Sequence, residues 1–597
     1  MNRACLYAIL LICTTVDAGP RQFVKNVVQR FQKKKIVQSP AQTKKCYNPI
    51  IFENSRNRSV VGKRGMVVCD DVAAGQWGTY ILSIGGNAID AAVAMAFMLG
   101  VTRPHYAAPG GGGFGLICPA GMSKGFAFDF RETAPAAILD KKTDGFATHD
   151  TGSMLHGAQA CAIPGMVDGL LLMHDKYGKI HRRKLLQRPI KVAWDGTQVT
   201  GNMHYSAKAK WYEMNQDARD VLGERNVLKD PGEYIKQPDL AKTLKRVAQY
   251  GRDGFYRGPV ARKLVDGLQR GGSVITLEDL ANYHTKEREP LYGSCQGYDI
   301  LTMPPSSAGG IALLQLFNFM DGALKIHTER FNLGDSASWH IMAQALALAF
   351  ADRNCYVADP DFVDVPIKEL LSQEYLMDRW MSFFDTDKFI LPNKSRVTCK
   401  EGTDTTHVAV MDGEGNVASF TLTVHSKFGS GFVPTGTGVF MNNELDDFTV
   451  NSDYRNRFEL KSSELNKIEP LKRPLSSMTP TVIKNKNGDN RIVIGAAGGP
   501  QIISAIWQTL INRLYFGMSL ADAVVHPRIH HQFDPNQIYY ERGALSKEVC
   551  DLLIKKGHAL KEVVTEQIGT VQALEKMENG DIRGISDPRS EGIAVAA

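Results

Sequence analysis

The chain has 597 residues, 43% of them hydrophobic and 22% charged. This composition supplies ample core material and excludes collagen-like, low-complexity and wholly disordered architectures, and the length implies about three or four domains or one large merged fold. The formal charge is +7, but residues 21–45 hold Arg21, Lys25, Arg30, Lys33, Lys34, Lys35, Lys44 and Lys45 and no acid, so the remainder sums to −1 and the basic excess belongs to this tail.

Met1–Ala18 has the layout of a secretory signal: Arg3, a mostly apolar run from Ala4 to Val16, and the small Ala18 before Gly19. A membrane span needs about 20 apolar residues, so a cleaved signal is the first expectation and a retained signal-anchor the second. Cleavage leaves Cys46, Cys69, Cys118, Cys161, Cys295, Cys355, Cys399 and Cys550. An even number permits disulfides in an exported protein, but the spacing is too wide for a disulfide scaffold and contains no metal-type C-x-x-C. Sequons at Asn57 and Asn393 fit export and glycosylation. Residues 19–60 read as a basic flexible linker, with weak attraction to an anionic membrane surface as the second reading.

From Gly65 the sequence becomes globular. Met66–Cys69 predicts a buried strand, and Ala73–Gly100 has helical spacing broken at Gly85-Gly86. Asn87 is placed to cap a core helix over Ala88–Leu99. Pro109–Gly113 lacks the Gly-Lys-Ser/Thr ending of a phosphate-binding loop, so it reads as tight backbone packing that leads into a strand at Phe114–Cys118. Residues 163–380 look helix-rich. Strands are expected at Thr406–Val410, Val417–Val424 and Gly438–Met441, the first two joined by the turn Asp412–Asn416, and again at Ile492–Ala496 and Ile538–Glu541. Helices follow at Gln501–Tyr515, Leu520–Val525 and near Ser546–Lys556. The mixture predicts a layered α/β or α+β core.

Several of these segments, taken in order, resemble the γ-glutamyltransferases (glutathione hydrolases). They are Gly85–Ala94, Pro109–Gly115, Phe130–Pro135, Pro304–Gly310, Ala351-Asp352-Arg353 and Asp359-Pro360. Then come Asp404-Thr405-Thr406-His407, Asn442–Phe448, Arg473–Met478 and Gly495–Gly499. The resemblance runs from about residue 60 to the C-terminus. It implies an αββα sandwich of the N-terminal-nucleophile hydrolase type, a single merged fold made as a precursor. Autocleavage between Asp404 and Thr405 would then yield a large subunit, 61–404, and a small one, 405–597, as a heterodimer.

The resemblance also assigns roles. Thr405 becomes the nucleophile, because the α-amine freed on the same residue can serve as its base. His407, two residues into the strand, reads as a packing or structural hydrogen-bonding residue rather than a catalytic one. Thr423 would hydrogen-bond the nucleophile, and the N–H groups of Gly498 and Gly499 would hold the oxyanion. Arg131 with Ser476 and Ser477 would take the substrate carboxylate, and Glu444 and Asp447 its ammonium. His425 stands where the family usually has asparagine. As a neutral imidazole it could accept from the ammonium, and protonation would then weaken affinity at mildly acidic pH.

The implied substrates are glutathione and other γ-glutamyl compounds, with water, an amino acid or a dipeptide as acceptor. No metal, organic cofactor or nucleic acid is implied. Two alternatives accompany this reading: an amidase for poly-γ-glutamate or cephalosporin side chains, and a catalytically dead secreted binding protein.

Overall fold

The computed structural model describes residues 58–139, 154–326, 332–383, 388–389, 404–451, 454–563 and 567–597. The signal, the basic stretch, both sequon asparagines, Cys46 and Cys399 lie outside the described residues. Among those described, Cys69, Cys118, Cys161, Cys295, Cys355 and Cys550 are free thiols. No described helix is long and apolar enough to cross a membrane.

The strands Thr405–Asp412 and Val417–Thr423 pair as an antiparallel hairpin in which Thr405 faces Thr423. Asp412 closes the turn: its Oδ1 accepts from the N–H groups of Glu414 and Asn416, both at 3.0 Å. This hairpin is the middle of a seven-stranded sheet whose order is Ile593–Ala596, Gly65–Cys69, Thr405–Asp412, Val417–Thr423, Gly112–Cys118, Phe126–Phe130 and Lys286–Arg288. A second seven-stranded sheet runs Ser59–Gly62, Ile582–Ser586, Thr570–Lys576, Asn490–Ala497, Thr481–Lys484, Tyr298–Thr302 and Leu291–Cys295. All pairings within the two sheets are antiparallel.

Side-chain alternation explains the layering. Met66, Val68, Ala409 and Met411 enter one apolar cluster with Val493, Val571 and residues of the helices Gly309–Ile326, Ser336–Tyr356 and Gln501–Leu514. Their strand neighbours Val67, Cys69, Val408 and Val410 enter the other, with the helices Val72–Ser83, Ala88–Thr102 and Met166–Tyr177. The central strands are therefore buried on both faces and read as continuous apolar runs. The result is the helix–sheet–sheet–helix sandwich expected from the sequence.

The sheets close on each other around His407. A Cβ on Gly495 would lie 2.1 Å from the His407 ring, so only glycine leaves the imidazole room. His407 is buried, with Nδ1 2.9 Å from Thr421 Oγ1 and Nε2 3.3 Å from Ser419 Oγ, and burial pushes its pKa down to about 3. It is a neutral packing residue, as expected.

Asn87 caps Ala88–Thr102 through a full capping box with Asp90, and the helix runs three residues beyond the expected Leu99. The four glycines pack as anticipated: a Cβ on Gly111 would sit 2.1 Å from the Thr423 carbonyl oxygen. One expectation needs correction: Gly438–Met441 forms no strand, since only Met441 makes a bridge, with Gly110. The middle region is helix-rich as expected, and it also supplies the strands Lys286–Arg288, Leu291–Cys295 and Tyr298–Thr302 to the margins of the two sheets. Edge strands are short and half polar, so their apolar signal is weak.

Candidate active site

The register of the central hairpin puts Thr405 and Thr423 side by side at one end of the sheet, both lining one pocket. Thr405 is 5% exposed. The Thr423 hydroxyl accepts the His425 N–H at 2.9 Å and makes a long contact, 3.4 Å, to the Asp404 carbonyl oxygen. Asp404 itself is buried, and its carboxylate meets Arg457 at 2.8 Å.

Gly498 and Gly499 end the strand Asn490–Ala497 in the second sheet and lead through Pro500 into the helix Gln501–Leu514. Their φ values are +133° and +55°, which only glycine adopts without strain. Their carbonyls accept from Gln501 and Ile502 of the helix. Among the described residues, neither N–H has an acceptor. Gly499 lines the pocket, whereas Gly498 stands one residue behind the wall. Both lie at a helix N-terminus, where the backbone dipoles favour negative charge.

The opposite wall is densely charged. Arg131 follows the strand Phe126–Phe130 and is fully buried. It meets Glu444 at 2.8 Å, pairs with Asp447, and donates to the backbone carbonyls of Pro474 and Leu475. Burial alone would lower its pKa, but Glu444, Asp447 and Glu132 outweigh that and hold the guanidinium charged. Asp447 is correspondingly held below the usual carboxylate range, because His425 and Arg131 overcome its desolvation. Burial, reinforced by Glu444, pushes the neighbouring Glu132 up. The segment that carries Ser476 and Ser477 is bracketed in turn. Ser476 exchanges backbone hydrogen bonds with Ser306 and Ala308, and the Asp359 carboxylate accepts the Arg473 N–H at 2.8 Å. The Pro304–Gly310 and Asp359-Pro360 motifs thus serve to position this segment.

His425 lines the pocket and sits among acids. Its Nε2 lies 2.7 Å from Asp446, and its Nδ1 lies 3.4 Å from Glu444 and 3.5 Å from Asp447. Burial opposes its charge, but Asp447 and the hydrogen bonds to Asp446, Asp447 and Glu444 lift its pKa well above that of an ordinary histidine. The raised pKa favours the imidazolium, with Nε2–H donating to Asp446, and this runs against a neutral acceptor that loses affinity at mildly acidic pH. His425, Glu444 and Asp447 bring one ligand atom each within 4.8 Å of one another, and Arg131 is ion-paired with both acids.

Ten residues were expected at the site, and nine of them line one pocket: Thr405, Thr423, His425, Gly499, Arg131, Glu444, Asp447, Ser476 and Ser477. Arg353 and Phe458 also line it and were given no role from the sequence. Arg353 stood in the quoted Ala351-Asp352-Arg353 motif, which was the signal available. Asp446 and Tyr454 were missed behind the wall: the Tyr454 hydroxyl donates to Asp446 at 2.5 Å, fixing the acid that holds His425.

Comparison with known proteins agrees with this geometry. Residues 74–597 match the family model for gamma-glutamyltranspeptidase. The chain is 36% identical over 543 residues to the glutathione hydrolase proenzyme of Escherichia coli, covering 89% of this chain and 91% of that protein. Among solved structures it resembles a cephalosporin acylase from Bacillus halodurans, with a TM-score of 0.80, 25% identity and coverage of 93% of this chain and 99% of that one. It also resembles the Helicobacter pylori gamma-glutamyltranspeptidase, with a TM-score of 0.50 and 33% identity over 54% of this chain and 91% of that one. The chain belongs to the gamma-glutamyltranspeptidase family and is an enzyme of the glutathione hydrolase type.

Proposed function

We propose that the protein is exported, cuts itself between Asp404 and Thr405, and then uses Thr405 to open γ-glutamyl amide bonds, glutathione first among them. The observation that carries this reading is the placement of Thr405. It opens a central strand beside Thr423, in a pocket lined also by Gly499 and by the charged Arg131, Arg353, Glu444 and Asp447. In the uncut chain, the contact from the Thr423 hydroxyl to the Asp404 carbonyl would polarise the bond that is to break. Cleavage frees the Thr405 α-amine. That amine takes the proton from Oγ1 as Oγ1 attacks the γ-carbonyl carbon, and the oxyanion forms against the N–H groups of Gly499 and Gly498. Collapse returns the proton to the departing amine, cysteinylglycine in the case of glutathione, and leaves a γ-glutamyl ester on Thr405. Water, an amino acid or a dipeptide then attacks the ester, giving glutamate or a new γ-glutamyl compound. The layout of Met1–Ala18 supports export.

The likeness to a cephalosporin acylase raises a second substrate class. The charged wall of Arg131, Glu444 and Asp447 favours a zwitterionic head group over a side chain that lacks one. Release of 4-nitroaniline from L-γ-glutamyl- and L-α-glutamyl-4-nitroanilide tests the reading. Turnover of the γ-linked compound at least tenfold faster is expected; equal rates, or turnover of neither by processed protein, would sink it.

A further inference from the structure

Three cations face the pocket, and two are already matched by acids. Arg131 meets Glu444 and Asp447, while His425 meets Asp446, Glu444 and Asp447. The third, Arg353, has no ion pair among the described residues. It projects from the last turn of the helix Ser336–Tyr356, is 3% exposed and lines the pocket. Its Nε donates to Ser477 Oγ at 3.2 Å and one Nη to Asn354 Oδ1 at 2.9 Å, both neutral acceptors. The other Nη has no partner among the described residues. Burial pulls its pKa down to about 10, with Asp447 opposing and Arg131 reinforcing, so the guanidinium is charged at neutral pH.

A buried guanidinium without a counter-charge is costly and calls for an anion. The charge pattern says which kind. Arg131 and His425 sit against the three acids Glu444, Asp446 and Asp447, a wall in which acids outnumber bases, as suits an ammonium. Arg353 stands apart as one positive charge, the complement of a carboxylate. Its bond to Ser477 also matters, because a hydroxyl that accepts from Nε keeps its own hydrogen free to donate to an anion.

We propose that Arg353, acting with Ser477, is a second seat for the substrate α-carboxylate, shared with Arg131, and thereby a determinant of selectivity for amino-acid head groups. The assignment rests on the γ-glutamyl reading above and refines it. Arg131 donates to Asp447 and to two backbone carbonyls and is held in an ion pair with Glu444, so it does not present a free fork to the carboxylate. Arg353 supplies the uncommitted donor.

The test compares L-γ-glutamyl-4-nitroanilide with 4-aminobutyryl-4-nitroanilide, which is the same compound without the α-carboxylate. Arg353→Gln is expected to raise KM for the first about 10- to 100-fold, the range for a charge-assisted hydrogen bond, with kcat within about threefold. KM for the second should stay within about twofold. Arg353→Lys keeps the charge and should recover part of the loss; it carries the same test if the glutamine variant fails to fold. Inhibition by L-glutamate should weaken in step, while inhibition by 4-aminobutyrate should not. Equal KM increases for both anilides, or no increase for either, would overturn the assignment and leave the γ-glutamyl reading intact. A wild-type enzyme that cleaves neither anilide would overturn both.

Discussion

At one end of the pocket, Thr405, Thr423 and Gly499 come from the ends of strands in two stacked sheets and carry no formal charge. At the other, Arg131, Arg353, His425, Glu444 and Asp447 come from separate stretches of chain and are charged or chargeable throughout. The neutral end is set by strand register, which the whole sandwich enforces. The charged end is set by mutual compensation, in which each group's ionisation depends on its neighbours. A change at the first should alter the rate of chemistry, and a change at the second should alter binding and stability.

Thr405→Ala should break the first end outright. It removes the attacking oxygen, so cleavage of the precursor and turnover should both vanish, a loss of about 10⁶-fold in kcat by analogy with nucleophile deletions. The variant should run as one uncut chain on a denaturing gel, and residual turnover near the wild-type rate would refute the division. Arg131→Met should break the second end through stability. It strands Glu444 and Asp447 in a buried site, which costs about 3–5 kcal/mol and is measurable by urea unfolding. Gly499→Ala comes next: φ is +55° and the new Cβ would sit 2.9 Å from the Phe458 ring, so the N–H must shift. Loss of oxyanion alignment should lower kcat about 10- to 100-fold with KM little changed. A KM effect alone would place Gly499 at the binding end instead.

The smallest effect is expected at His425. Its folded pKa is raised, so the stability it contributes is full below its unfolded value of about 6.5 and is lost as pH climbs through the higher folded value. The thermal stability gap between wild type and His425→Asn should therefore be widest near pH 6 and shrink toward pH 10. KM of the wild type should stay flat from about pH 5.5 to 7, because the imidazolium does not titrate there. A KM that rises as pH falls through 6.5 would restore the neutral-histidine picture.

The two ends were also unequally legible in the sequence. The hairpin around Asp412–Asn416 and the apolar strands flanking it announce themselves through local turn chemistry and continuous hydrophobicity, so the strand start was legible to within one residue, while the role of Thr405 came through resemblance. The capping of Ala88–Thr102 by Asn87 was legible for the same reason, since its signal lies within four residues. The charged end was legible only as a set of types. Arg131, Glu444 and Asp447 were named through resemblance, but no local signal says that His425 packs against the acids of the turn Glu444–Asp447. Its protonation state is a property of tertiary structure, and the sequence left both states open. Arg353 was named only within its motif, because nothing local to the sequence shows that a helix carries it to the pocket wall. The edge strand Leu291–Cys295 and its neighbour Tyr298–Thr302 were missed because strands of five residues with exposed positions carry little apolar periodicity.

The central claim is that Thr405 becomes a chain terminus and the nucleophile at once. N-terminal sequencing and intact mass of the purified small chain, taken on a sample shown to hydrolyse L-γ-glutamyl-4-nitroanilide, test it most directly. The account predicts a small chain of 193 residues that begins Thr405-Thr406-His407 and gains one γ-glutamyl group on Thr405 when substrate is quenched mid-turnover. An active sample whose chain is uncut, or whose small chain begins at any other residue, would contradict it.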